Sequence, residues 1–327
     1  MVVISAGEPS GDLLGAALAL GLGVPARGLA GPAMRSAGVE AVGRIEELSV
    51  MGLAEVVGAL PRALRLHQAM VQALDGARLL VVIDAPDFNI PLARVARQRG
   101  VPVVFYVSPQ VWAWRRGRAA TIAELAETVI CLLPFEPSCY PEGRAEFLGS
   151  PVAERSRPLG PPGPALCLAP GSRRQEVEAL LPVFLQAAEG PCCLAQAPGL
   201  PSPTLPPRVQ VCSSLREAAA QSRVALVASG TATLELACMG RPMVVAYKLS
   251  PLTWPLAKAL VDLPFVSLPN LILGRQVVPE FLQDLDPSAL RGALARAEEG
   301  QDLAEVRHAL RPQGAQQRIT ERIRSFL

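Results

Sequence analysis

Val2-Val3-Ile4-Ser5 runs into Ala6-Gly7-Glu8-Pro9-Ser10-Gly11-Asp12 and then into the apolar, helix-like stretch 13–20. The same grammar returns in the second half, where 224–228 runs into Ser229-Gly230-Thr231-Ala232-Thr233-Leu234-Glu235. An apolar, β-rich run that hands over to a helix through small residues reads as a buried parallel strand. At such a turn, unpaired backbone N–H groups and the helix dipole converge on a crevice suited to phosphate or polar ligands. Two such crevices facing each other predict a nucleotide-linked substrate held between two domains.

Outward from these turns, short β-rich runs alternate with helical patterns along the whole chain, which predicts an α/β protein built of βαβ units and parallel sheets. Strands are expected near 2–5, 26–30, 79–83, 102–107, 128–132 and 146–148, and again near 165–169, 192–196, 208–211, 224–228 and 243–246. The longest helix, 53–74, places Leu53, Val56, Val57, Leu60, Leu64, Val71 and Leu74 on one stripe, with a kink expected at Pro61. The Pro-rich stretch 150–164 can continue neither a helix nor a central strand and marks a boundary. It separates a domain of 1–152, completed by C-terminal helices at 312–327, from one of 153–311. The Pro-rich segment 198–207 reads as a loop.

With 327 residues, 50% of them hydrophobic and 18% charged, each half can form its own core. A net charge of +2 argues against nucleic acid as a partner, because phosphate-tracking proteins carry a marked basic excess. No apolar run reaches the roughly 20 residues that cross a bilayer, so membrane contact is expected from one side only. Seven cysteines without a C-x-x-C pair and without a secretory leader predict free thiols in a reducing cytoplasm, with Cys192 and Cys193 in a strand. Lys248 and Lys258 are the only lysines, and Asn89 and Asn270 the only asparagines, a bias that fits a GC-rich genome or a hot habitat. A chain so poor in asparagine keeps both in distinctive segments, 83–89 and 267–271.

Neither G-x-G-x-x-G nor G-x-x-x-x-G-K-[ST] occurs, which weakens nicotinamide and P-loop readings. Glu8 and Asp12 flank the first turn, where they suit either helix capping or ligand contact. Asp84 ends an apolar strand, at the edge where open parallel sheets bind ligands, and the rigid Ala85-Pro86 behind it would hold a general base in place. Asp87 is expected to cap the following helix. Arg173, at a turn that opens a helix, suits the oxygen pair of a diphosphate. Asp284-Leu285-Asp286 could chelate Mg²⁺, but Asp286 before Pro287 reads better as an N-cap, and no metal site is expected. The segment 106–118 gathers Trp112, Trp114, Arg115, Arg116 and Arg118. Stacking on nucleic acid is one use of such a set; a membrane interface or a phosphorylated lipid is the one a near-neutral charge favours. His67 and His308 lack partners at ligand spacing.

Taken together, several segments resemble the lipid-A-disaccharide synthase family: SAGEPSGD at 5–12, SVMGLAEV at 49–56, IDAPDFN at 83–89, YVSPQVWAWR at 106–115, LLPFE at 132–136, PGSR at 170–173, SGTATLE at 229–235, PMVVAYKLSPLT at 242–253 and VSLPNLILGRQVVPEFLQ at 266–283. The resemblance implies a GT-B fold, two Rossmann-like parallel-sheet domains across a cleft. It also implies inverting transfer of 2,3-diacylglucosamine from UDP to O6 of 2,3-diacylglucosamine 1-phosphate, giving a β-1,6 disaccharide 1-phosphate and UDP, with no cofactor. On it, Asp84 is the base, with Glu8 and Asp12 near the acceptor or transferred sugar. Arg173, Ser229, Gly230, Thr231, Ala232, Glu235, Asn270, Glu280 and Gln283 belong to the UDP side. A homodimer, and a place on the inner face of the cytoplasmic membrane, are expected too. The apolar stripe within 49–65, followed by Arg62 and Arg65, is the candidate lipid contact. The chain departs from the pattern at Ser150, where Gly-His-Pro is usual, and in a second domain shortened around 187–215. A nucleotide-sugar epimerase, or a UDP-sugar-binding protein without turnover, stays open as a different kind of answer.

Overall fold

Uninterrupted runs of Val, Ile and Leu form strands buried on both faces, and these organise two units of the chain in a computed structural model. The structure describes all residues except 50–55, 114–115, 198–199, 202, 250–253 and 255–262, and omits the side chains of 49 and 56–60.

The first unit is Met1–Pro151 with Gln313–Leu327. Its strands are β1 (Val2–Ala6), β2 (Ala26–Ala30), β3 (Glu40–Arg44), β4 (Leu79–Ile83), β5 (Val103–Tyr106), β6 (Thr128–Cys131) and β7 (Ala145–Phe147). They form one parallel sheet in the order β3-β2-β1-β4-β5-β6-β7. The chain leaves β1 in one direction for β2 and β3, then returns to build outward from β4, so the order reverses between β1 and β4. Ligands bind outside the carboxyl ends of parallel strands at such a point. Val2, Val3 and Ile4 on β1, like all five residues of β4, are wholly buried, and each large side chain there contributes about 1.5–3 kcal/mol. The C-terminal helix Ala315–Arg324 packs on the helix Pro9–Leu22, where Gly21 leaves room for Thr320: a Cβ at Gly21 would stand 2.9 Å from the threonine Cγ2.

The second unit, Val152–Pro312, repeats the plan. Its strands are β8 (Ala165–Ala169), β9 (Cys192–Ala195), β10 (Val209–Cys212), β11 (Ser222–Ala228), β12 (Met243–Tyr247) and β13 (Glu280–Leu282), all parallel in the order β10-β9-β8-β11-β12-β13. Here the reversal falls between β8 and β11.

Three local expectations are corrected. The strands β3 and β13 carry no apolar run, because sheet-edge strands stay half solvated. The Pro-rich boundary stretch opens with a short helix, Pro151–Arg155, since proline at a first helical position forfeits no hydrogen bond. Asp87 is not a cap: the cap position is Ala85, and Asp87 pairs with Arg118. Asp286 does cap its helix, accepting from Ser288 N at 3.3 Å and Ala289 N at 2.9 Å. Cys192 and Cys193 lie in β9 as read. Between β9 and β10 the described residues contain no helix.

Candidate active site at the carboxyl ends of the strands

In the first unit, the two sequence segments on either side of the reversal meet directly. Asp84 follows β4 with φ +52° and Ala85 with φ +40°, left-handed conformations that cost roughly 1–3 kcal/mol each and recur at functional sites. They turn the Asp84 carboxylate back into the 7–12 turn. Its Oδ1 accepts from Gly7 N at 2.8 Å, while its Oδ2 is buried without a hydrogen-bond partner. Burial pushes the Asp84 pKa up to about 8, opposed by the Gly7 N–H and reinforced by the charge of Glu8. The backbone is braced from behind. Asn89, fully buried, donates from Nδ2 to Asp84 O at 2.8 Å and Ile83 O at 3.3 Å, and accepts from Ser5 Oγ at 2.6 Å. One of the two asparagines thus ties both halves of the site together.

The glycines of the turn are dictated by this carboxylate. A Cβ at Gly11 would stand 2.2 Å from Asp84 Oδ2, and one at Gly7 2.9 Å from Asp84 Oδ1 and 2.2 Å from Ala85 Cβ. Gly11→Ala is therefore expected to displace the carboxylate and cost about 1–3 kcal/mol as an overpacked site. A melting curve alongside a turnover assay checks this; a variant with unchanged stability and activity would show that the carboxylate is free to move aside.

Glu8 is exposed at the cap position of the helix Pro9–Leu22, and its side chain makes no cap hydrogen bond, so it remains available at the mouth of the site. Asp12 is 3% exposed, with Oδ1 accepting from Gly31 N at 2.8 Å and Met34 N at 3.1 Å, and Oδ2 from Ala33 N at 2.8 Å. A carboxylate so engaged holds the start of the helix Pro32–Ser36.

In the second unit, Arg173 and the Ser229-Gly230-Thr231 turn follow β8 and β11, the strands on either side of the reversal. Arg173 caps the helix Arg174–Ala187, and its guanidinium is 72% exposed, with Nη1 bonded to Glu176 Oε1 at 3.2 Å. Glu176 Oε2 also accepts from Ser172 N at 3.0 Å and Arg173 N at 3.2 Å. The other helix start is bare. Gly230 takes φ +150° with open space where a Cβ would be, and the helix Thr231–Met239 has no side-chain cap for its first N–H groups. Ser229 Oγ donates to Val266 O at 2.7 Å. Glu235 makes no hydrogen bond among the described residues. Burial raises its pKa, opposed by the charge of Arg155, and its carboxylate is ready to accept from hydroxyls.

Asn270, Glu280 and Gln283, expected on the UDP side, all make hydrogen bonds within the protein. Asn270 is fully buried, donating to Val278 O at 2.9 Å and Glu280 Oε1 at 2.7 Å and accepting from Val277 N at 2.7 Å and Val278 N at 2.9 Å. Glu280 accepts further from Val266 N at 2.9 Å, Ser267 N at 2.8 Å and Ser267 Oγ at 2.6 Å. Gln283, at φ +64°, closes a two-way amide pair with the Leu249 backbone at 3.1 and 2.9 Å. Ser150, where a histidine was expected, is buried.

Much of the candidate lipid contact, Val50, Met51 and Leu53 together with the side chains of Val56, Val57 and Leu60, lies outside the described residues, as do Trp114 and Arg115. Beyond Pro61 the helix Val56–Ala73 is two-faced: Leu66 and Met70 are in the core, whereas Leu64 is 55% exposed between exposed Arg62 and Arg65. No helix among the described residues is long and apolar enough to cross a membrane.

Paired parallel sheets with their polar groups gathered at two strand-order reversals define the GT-B class. The calicheamicin glycosyltransferase CalG4 is similar over 100% of this chain and 98% of its own, with a TM-score of 0.64 at 17% identity. Within that class the chain belongs to the lipid-A-disaccharide synthase family: the family model for lipid-A-disaccharide synthetase matches residues 2–191 and 208–324. The lipid-A-disaccharide synthase of Koribacter versatilis is 38% identical over 369 residues, covering 98% of this chain and 96% of the relative. That of Neisseria meningitidis serogroup C is 40% identical over 338 residues, covering 90% and 88%. The protein is thus a glycosyltransferase of lipid A biosynthesis. Between its two matched stretches the family model skips residues 192–207, which hold β9 and most of the link to β10.

Proposed function

We propose that the protein transfers 2,3-diacylglucosamine from UDP to O6 of 2,3-diacylglucosamine 1-phosphate, with inversion, to give the β-1,6 disaccharide 1-phosphate and UDP. The observation that carries this reading is the buried, half-unsatisfied Asp84 carboxylate at the strand-order reversal of the first unit. Its unpartnered Oδ2 suits the acceptor hydroxyl: the O6 proton passes to the carboxylate as O6 attacks the anomeric carbon and the bond from that carbon to the UDP oxygen breaks. Attack opposite the leaving group turns an α-linked donor into a β product. The charge left on UDP would be met by the Arg173 guanidinium and the bare N–H groups at Gly230-Thr231-Ala232, donors that need no rearrangement as charge develops. Glu235 would accept from the ribose hydroxyls, and Glu8 from hydroxyls of a sugar at the mouth of the Asp84 site.

Both substrates carry acyl chains, which calls for contact with a membrane surface. Exposed Leu64 between Arg62 and Arg65 suits an interface of apolar tails and anionic headgroups, on the inner face of the cytoplasmic membrane.

The reading is tested by incubating radiolabelled acceptor with UDP-2,3-diacylglucosamine and scoring UDP release together with disaccharide. UDP release without disaccharide, or interconversion of the donor sugar, would replace it with another reaction. Arg173→Ala is expected to weaken UDP binding by about 1.5–3 kcal/mol, the range for a hydrogen bond to a charged group. Because the side chain is 72% exposed, the melting temperature should hold. Calorimetric titration with UDP reads the first quantity, and unchanged affinity would remove Arg173 from the diphosphate.

A further inference from the structure

The described part of the segment from β5 to the start of the helix Arg118–Leu125 is fastened at four points, and only one of them uses a buried charge. At its start Val107 takes φ +89°, an outlying conformation for a β-branched residue, and its N–H bonds to Ile130 O at 3.0 Å. Ser108 Oγ, 3% exposed, shares a hydrogen bond of 2.9 Å with the Tyr140 hydroxyl. At its end Arg118 pairs with Asp87, three residues beyond Asp84. Between these, the Trp112 indole Nε1 donates to Glu136 Oε1 at 3.2 Å, and the indole packs edge-on against Phe135 with ring centres 5.5 Å apart.

Glu136 is an uncommon anchor. It is 3% exposed, and its other oxygen accepts from Leu132 N and Leu133 N, each at 3.0 Å. A carboxylate is costly to bury, and these three N–H donors offset only part of that cost: its pKa stands at about 7, raised by burial against them. A neutral side chain could pack there more cheaply. What the carboxylate adds is a fixed acceptor on β6's exit, aimed at one indole on β5's exit.

We propose that Glu136 is a positioning residue for the acceptor: through the Trp112 N–H it sets residues 107–113, with exposed Gln110, as one wall beside the Asp84 site. The assignment to the acceptor rests on the function proposed above, and on β5 being the neighbour of β4 in the unit that carries Asp84 rather than the one that carries Arg173. Neither Glu136 nor Trp112 need touch the reacting atoms.

Steady-state kinetics on Glu136→Gln, Trp112→Phe and the double variant test this, with acceptor and donor varied separately. Glu136→Gln turns a donor toward the Leu132 and Leu133 N–H groups, whereas Trp112→Phe keeps the aromatic packing on Phe135 and deletes only the N–H. Trp112→Phe therefore carries the test if the glutamine variant fails to fold. The expected result is an acceptor KM raised roughly tenfold in each single variant, the scale of one charge-assisted hydrogen bond. Donor KM and kcat should stay within about twofold, and the double variant should be little worse than either single one. An unchanged acceptor KM in Trp112→Phe would overturn the proposal, as would a parallel loss in kcat and both KM values. Failure of the underlying reading shows differently, as a wild-type enzyme that makes no disaccharide.

Discussion

Replacing Asp84 with Asn is expected to leave UDP binding intact and to lower turnover by roughly two orders of magnitude or more, the usual share of a general base. Asparagine tolerates the left-handed backbone at this position, so the geometry at φ +52° should survive. The wild-type rate should rise with pH through about 8, because the carboxylate works as a base only after it loses the proton that burial makes it keep. In the variant that limb should disappear. The stability effect has the opposite direction. A carboxyl whose folded pKa is raised from 3.8 to about 8 favours the native state fully below the lower value and loses that contribution as pH rises through the upper one. At pH 9 the wild type carries the cost of a buried charge, and Asp84→Asn should be the more stable by an amount on the order of a few kcal/mol. A dead variant that is also more stable in alkali would mark a group kept for chemistry at the expense of folding. Near-normal turnover would exclude Asp84 as the base.

Much of this site was legible because the relevant signals are local. A run such as Leu79-Leu80-Val81-Val82-Ile83 followed by Asp84-Ala85-Pro86 announces a buried strand and a stiff exit within eight residues. Which way a side chain turns after that exit depends on contacts far along the chain. Asn270 and Glu280 sit in segments that the sequence singles out, yet their polar atoms are consumed by Val266, Ser267, Val277 and Val278, a closure that spacing does not show. Edge strands escaped for a similar reason: Glu40-Ala41-Val42-Gly43-Arg44 becomes a strand only because β2 offers it an open ladder. Glu136 stands in the quoted motif 132–136, but nothing adjacent marks it as an anchor, since its indole partner lies 24 residues away.

Asp12 brings that distinction to a measurable contrast with Asp84. Both are acidic and both border the same turn, and the sequence reading offers each as a site residue, Asp84 as the base and Asp12 as either cap or ligand contact. Asp12→Ala would strip acceptors from three N–H groups of residues 31–34 in a site 3% exposed, where no water replaces them at full value. Removing a charged partner from such a cluster costs about 3–5 kcal/mol. For a unit of this size that corresponds to a fall in melting temperature of roughly 6–20 °C. Gly31 shows how close the packing is: a Cβ there would stand 2.4 Å from Asp12 Oδ2. Asp12→Asn should lose less, because one oxygen can keep the Gly31 and Met34 N–H bonds while the amide meets Ala33 unfavourably. Assayed well below its melting temperature, the asparagine variant should retain turnover within about tenfold of wild type, since the lost group holds a helix and moves no proton. Calorimetry and initial rates on the same preparations separate the two aspartates. A normally stable Asp12→Asn protein whose turnover falls a hundredfold would place Asp12 on the substrate after all.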